Sequence, residues 1–183
     1  MSACCDPRRY GRIFDSREAR RRARQYRRRG LDRTERRIVE LVAGHGVAGA
    51  SVLEIGGGVG EIQLELLRRG AASVTNLELS PAYDDEARRL LEEAGLAGRV
   101  ERRIADIAMD PDAAERADVV VLNRVVCCYP DHPRLLAAAA DRARRLLVFS
   151  HPPRNALSRT VVGGGNLAFR FSGGGFRVFA HPP

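Results

Sequence analysis

The stretch Val52-Leu-Glu-Ile-Gly-Gly-Gly-Val-Gly60 sets a carboxylate two residues ahead of a glycine run, with Glu61 directly behind it. Glycines let a backbone approach a ligand closely and adopt φ > 0. A helix opening behind them leaves N–H groups free to face that ligand. A second acid, Glu78, follows 24 residues after Glu54. In doubly wound folds an acid at that place meets ribose hydroxyls. The dinucleotide spacing GxGxxG, counted from Gly56 and Gly58, would put its third glycine at Glu61, where a carboxylate repels a pyrophosphate. A phosphate loop with its lysine is excluded, because the sequence contains no lysine. The spacing that remains, Glu54-x-Gly56-x-Gly58-x-Gly60, suits a cationic ligand with an amino-acid moiety, towards which Glu54 and Glu61 are tolerable or favourable.

Such a loop needs a strand before it and a helix after it. Residues 51–55 read as a short apolar strand, and residues 61–69 as a helix stopped by Gly70. Strands follow at 73–79, 100–105, 118–122 and 146–150, and helices at 81–94 and 133–144. Strands alternating with helices of this length predict an α/β fold: a doubly wound, Rossmann-like, mainly parallel sheet with helices on both faces. Ahead of it, residues 16–29 read as an Arg-rich helix with Ser16 as N-cap and Gly30 as stop. A second helix fits 33–43 with Asp32 as its cap. The expected division is an Arg-rich N-terminal segment, 1–31, and a domain over 32–183. Beyond Pro152-Pro153 the pattern fits either an interrupted helix or two alternating strands around Ser172-Gly-Gly-Gly175.

The glycine stretch resembles motif I of the class I S-adenosyl-L-methionine-dependent methyltransferases. Three further stretches continue the resemblance over roughly residues 33–150. Asn76-Leu-Glu-Leu-Ser-Pro81 looks like the acidic loop after motif I, Ala105-Asp106-Ile107 like the adenine-contacting motif, and residues 118–123 like motif IV. The resemblance implies S-adenosyl-L-methionine as cofactor, with Glu54, Gly56 and Gly58 bordering its methionine part. It implies that Glu78 takes both ribose hydroxyls, that Leu79 and Ile107 lie at the adenine, and that Asp106 accepts from the adenine amino group. Asn123 would stand near the methyl donor. Family members usually close the sheet with two further strands, for which 33 residues after Ser150 are few, so a C-terminally shortened chain is expected.

Amino-methylating nucleic-acid enzymes usually carry Asn- or Asp-Pro-Pro-aromatic in motif IV; this chain has Asn123-Arg124-Val125-Val126. That departure favours a small-molecule acceptor methylated at O, C or S. Tyr129-Pro130-Asp131 resembles the corresponding loop of small-molecule methyltransferases, including those that esterify a tetrapyrrole propionate. Much of such catalysis is positioning and desolvation. A base is needed only if the acceptor must lose a proton, and Tyr129, Asp131, His132 and His151 are the candidates at the strand ends. A non-catalytic cofactor-binding or RNA-associated module with the same fold is the competing reading.

All 31 basic residues are arginine and the formal net charge is +8. Fourteen of the arginines fall between residues 6 and 37, so the rest of the chain is close to neutral. Arginines on every side of the 16–29 helix suit a solvated charged surface. A lid is the second reading, in which Tyr26 and a neighbouring arginine meet the cofactor carboxylate; phosphate binding to nucleic acid is the third. No apolar run reaches the ~20 residues needed to span a bilayer, and no apolar segment follows the basic start as in a secretory signal. The cysteines form two adjacent pairs, Cys4-Cys5 and Cys127-Cys128, which fits neither a disulfide framework nor zinc spacing. A cytoplasmic protein without a metal is expected, its oligomeric state open. On an extended segment the neighbouring thiols would point to opposite faces, so at most one would meet a ligand.

Overall fold

A computed structural model describes residues 14–151. The expected hairpin or helix beyond Pro152, the Cys4-Cys5 pair and the expected C-terminal shortening lie outside the described residues.

The elements run α1 (Ser16–Arg29), α2 (Arg33–Gly44), β1 (Ser51–Ile55), α3 (Glu61–Arg68), β2 (Ser73–Glu78), α4 (Asp84–Glu93), β3 (Val100–Ile104), β4 (Ala117–Leu122), α5 (His132–Arg142) and β5 (Ala143–Phe149). The five strands form one parallel sheet in the order β3-β2-β1-β4-β5. The chain winds outward from β1 to β3, then returns to place β4 on the other side of β1. A crevice opens at that reversal, outside the carboxyl ends of β1 and β4.

Period-two alternation in the strands feeds two cores. Val52, Val74, Val119 and Val121 face a core shared with Ile38, Val39 and Val42 of α2 and Ile62 and Leu66 of α3. Leu53, Ile55, Leu77, Val120 and Leu122 face the opposite core, with Ile107 and with Leu135 and Ala139 of α5. Burial on both faces explains why β4 reads as three consecutive valines.

Several boundaries move for local reasons. The N-cap of α1 is Asp15, not Ser16: its carboxylate accepts from the N–H groups of Arg17 and Glu18, both at 2.9 Å. Asp32 caps α2 as expected, and Glu35 completes a capping box by accepting from the Asp32 N–H. The run opened by Pro81 begins as a 3-10 turn, Pro81–Tyr83, before α4. A register shift between Ala117 and Val119 lets β5 start at Ala143, earlier than expected, so α5 stops at Arg142.

The first helix is not merely a solvated charged surface. Ala19, Ala23 and Tyr26 are buried and belong to the same core as α2 and α3. Small alanines on one side let α1 lie close, while Arg20, Arg24 and Arg28 stay exposed. Among the described residues no helix is long and apolar enough to cross a membrane.

Candidate cofactor cleft

Above the carboxyl ends of β1, β2 and β4 lies a cavity of about 490 Å³. Its floor is the loop between β1 and α3. Gly56 and Gly60 have φ of 68° and 88°, and Gly60 takes the N-cap position of α3. A Cβ on Gly56 would stand 2.5 Å from Cγ2 of Val125. A Cβ on Gly57 would overlap the Asn76 amide and the Glu54 carboxylate. The loop therefore packs backbone directly against side chains of β1, β2 and the segment after β4.

Carboxylates then fix the loop. Glu78, the last residue of β2, accepts the Gly58 N–H at 2.9 Å through Oε2. Its Oε1 accepts from the N–H groups of Leu79 and Ser80 at 2.8 and 3.1 Å. Arg102 on β3 closes the far side, donating to the Gly58 carbonyl at 3.0 Å and to Asp84 at 3.2 Å. Glu78 thus faces the cavity with both oxygens held by backbone amides, beside Leu79 and Ile107.

Glu54 is 2% exposed and accepts a long hydrogen bond from Asn76, itself fully buried in β2. Burial, followed by the neighbouring Glu61, pushes the Glu54 pKa up to about 8. Burial likewise raises Glu61, against the pull of Arg22. Arg22 forks between two carboxylates, with Nε donating to Glu61 at 2.9 Å and Nη2 to Glu35 at 2.6 Å. Burial works against its charge, but Glu61 and Glu35 outweigh that and keep it firmly protonated. This end of the cavity holds acids and arginines together, since Arg21, Arg22, Glu18, Glu35, Glu54 and Glu61 all border it.

On the other side, Asp106 accepts from the Tyr129 hydroxyl at 2.9 Å and from the Ala108 N–H at 3.0 Å. Asn123 accepts from Ser150 at 2.9 Å, and Ser150 in turn accepts the Arg124 N–H. Every residue expected at the cofactor — Glu54, Gly56, Gly58, Glu78, Leu79, Asp106, Ile107 and Asn123 — borders the one cavity. Of the residues expected as a base, Tyr129 borders it, whereas His132 at the start of α5 and His151 behind β5 do not. Tyr26 is also elsewhere: its hydroxyl donates to Glu65 at 2.7 Å, so Arg21 and Arg22 are what α1 brings to the cavity.

Sequence reasoning missed Asn76, Arg102, Arg22 and Val125. For Asn76, its place between Val74 and Leu77, the two apolar residues of β2, was a usable signal. The others depend on which elements meet.

A family model described as a methyltransferase domain matches residues 52–148, just over half of the chain. The chain belongs to that family, in the class of S-adenosyl-L-methionine-dependent methyltransferases. Solved structures share the fold at low identity. Magnesium protoporphyrin IX methyltransferase from Synechocystis, solved with S-adenosyl-L-homocysteine (SAH), is 22% identical, with a TM-score of 0.63 over 87% of this chain and 72% of that one. An O-methyltransferase family protein from Burkholderia thailandensis is 22% identical, with a TM-score of 0.61 over 82% of this chain. A methyltransferase from Thiobacillus denitrificans, in complex with S-adenosyl-L-homocysteine, is 18% identical, with a TM-score of 0.55 over 78% of this chain and 64% of that one. The chain spans 47% of the Burkholderia protein, about half its length.

Proposed function

We propose that the protein transfers the methyl group of S-adenosyl-L-methionine to a small-molecule acceptor at oxygen, carbon or sulfur. The observation that carries this reading is Glu78, anchored on the Gly58 amide and facing the cavity at the carboxyl end of β2. A carboxylate so placed can accept two ribose hydroxyls, which replace or share its backbone donors. Leu79 and Ile107 supply apolar contact for the adenine, and Asp106, held by Tyr129, accepts from its amino group.

The residues fit the rest of the cofactor as well. Glu54 and Glu61 set carboxyl groups towards an ammonium and a sulfonium, whose charge favours their ionised form, and Arg21 and Arg22 set positive charge towards a carboxylate. When bound, the cofactor supplies an already activated methyl group, so this chain's task is to orient the partners and keep water out. Tyr129 serves that task by positioning Asp106; its hydroxyl is committed to that carboxylate. His132 and His151 are not needed as bases in this reading. Asn123-Arg124-Val125-Val126 lacks the prolines usual where nucleic-acid amines are methylated, which supports the small-molecule acceptor.

Calorimetric titration with S-adenosyl-L-methionine and with S-adenosyl-L-homocysteine tests the site. Hydrogen bonds to a charged group contribute about 1.5–3 kcal/mol each, so Glu78→Ala should weaken both ligands by at least ~10-fold. Unchanged affinity in that variant would remove the reading.

A further inference from the structure

Cys127 and Cys128 stand in the cavity wall, on the segment that follows β4. That segment is not extended. The Cys128 N–H donates to the Val125 carbonyl at 2.9 Å and folds residues 125–128 into a turn. Both thiols therefore point the same way, with their Sγ atoms 3.5 Å apart. Both donate to one acceptor, the Arg124 carbonyl, at 3.4 and 3.7 Å.

Arg124 itself is held from two directions. Arg124 has φ of 60°, the one non-glycine residue with positive φ among the described residues. A side chain in that region is strained and persists only when its surroundings hold it. Here Ser150, just past β5, accepts the Arg124 N–H at 2.7 Å, and Asp32, the cap of α2, accepts from its guanidinium at 2.6 Å. The dithiol is thus oriented by a strained residue that two other elements clamp.

The spacing lets both sulfurs reach one shared atom with little movement. Two thiolates each about 2.3 Å from a shared thiophilic atom stand roughly 3.8 Å apart at a tetrahedral angle. The observed 3.5 Å lies near that arrangement. Zinc takes four ligands in such sites, and among the described residues no group of three or more Cys, His, Asp or Glu could hold a metal ion. A soft centre satisfied by two sulfurs and one organic substituent needs no third protein ligand, and Val125, Ile55 and Leu135 line the same cavity as apolar surface for that substituent.

We infer that Cys127 and Cys128 form a dithiol site that captures a thiophilic trivalent metalloid of the organoarsenical class. Each sulfur forms one bond to arsenic, and the oxide oxygen leaves as water carrying the two thiol protons. Arsenic keeps its oxidation state, and no further reactant is consumed. The inference stands apart from the cofactor reading, since the two thiols and the turn that orients them are in place without the cofactor.

Phenylarsine oxide is the probe, used on the full chain with Cys4→Ser and Cys5→Ser so that one adjacent pair remains. Mass spectrometry should find one phenylarsenic group per chain, resistant to excess glutathione and removed by 2,3-dimercaptopropanol. Cys127→Ser and Cys128→Ser should each lose that resistance. Because the pair is held in place before binding, the native chain should take the probe at least ~10-fold more tightly than the urea-unfolded chain. This last comparison needs no variant to fold. Displacement by glutathione, equal retention in either single serine variant, or equal affinity of native and unfolded chains would each overturn the inference.

Discussion

The two walls of the cavity are built on different principles. The β1–β2 side is glycine backbone held by carboxylates near strand ends: Gly58 on Glu78, with Glu54 beneath Gly57. The β4 side is side chains set around a strained turn: Asn123 on Ser150, Tyr129 on Asp106, and the thiols on the Arg124 carbonyl. Backbone geometry repeats wherever the same glycine spacing recurs. Side-chain geometry depends on what two other elements happen to deliver. The first wall fits a constant ligand, the second a variable one.

The first way to break this contrast is through Arg22, which α1 sends into the β1 wall. Its two partners, Glu35 and Glu61, have side chains only 5% and 8% exposed. Removing one member of a buried ion network leaves uncompensated charge, so Arg22→Ala should cost about 3 kcal/mol in urea-unfolding free energy. A loss under ~0.5 kcal/mol, the size of an ordinary surface substitution, would show that α1 is a loose attachment.

Next in size is Gly57→Ala. The new methyl meets the Asn76 and Glu54 side chains in a buried corner, and overpacking of this kind costs about 1–3 kcal/mol. The strain falls on the loop that faces the cofactor, so S-adenosyl-L-homocysteine affinity should drop by up to ~100-fold. Gly58→Ala meets only the Tyr83 ring at 3.5 Å, so apart from its positive φ it should be the milder change. Calorimetry on the pair separates the two.

The third sharpens the electrostatics of the β1 wall. Glu54 has a pKa raised to about 8, so near neutral pH much of it holds a proton. A cationic ligand favours its ionised form and must displace that proton. Affinity should therefore fall as pH drops below 8, by at most ~10-fold per unit, because each pKa unit corresponds to about 1.36 kcal/mol. Binding near pH 7 should release protons, visible as a buffer-dependent heat. Glu54→Gln should flatten the profile; an unchanged profile in that variant would place the proton elsewhere.

The smallest effect probes the β4 wall. Tyr129→Phe removes one donor to Asp106 while Ala108 still supplies another. A single side-chain hydrogen bond contributes about 1 kcal/mol, so cofactor affinity should fall roughly 5-fold. If Tyr129→Phe left affinity intact but abolished turnover, Tyr129 would be acting on the acceptor.

Much of this was legible in the residues. Glu78 ends a strand and the glycines and Asp106 stand on loops directly behind strands, where chain order alone puts them on one sheet edge. Asp32 declared itself as a cap because Glu35 follows at the right distance. His132, which opens α5, and His151 also follow strand ends, but the direction of a side chain is not written in its chain position, and neither borders the cavity. The cysteines were expected on opposite faces because extended backbone alternates; the Cys128 to Val125 hydrogen bond cancels that rule. Counting arginines on α1 suggested a solvated surface, yet two alanines and Tyr26 face the core and bring Arg22 with them.

The sequence by itself determined the α/β alternation, the parallel sheet and the acid-bordered glycine loop. Each of these follows from local rules: period-two apolar strands, capped helices and glycine's freedom at positive φ. Only the tertiary structure decided that Arg22 bridges two buried glutamates, that Asn76 and Val125 press on the glycine loop, and that two thiols share one carbonyl. Those contacts join residues far apart in the chain or depend on one strained turn. Packing sets them, and no local pattern encodes where packing will bring a side chain.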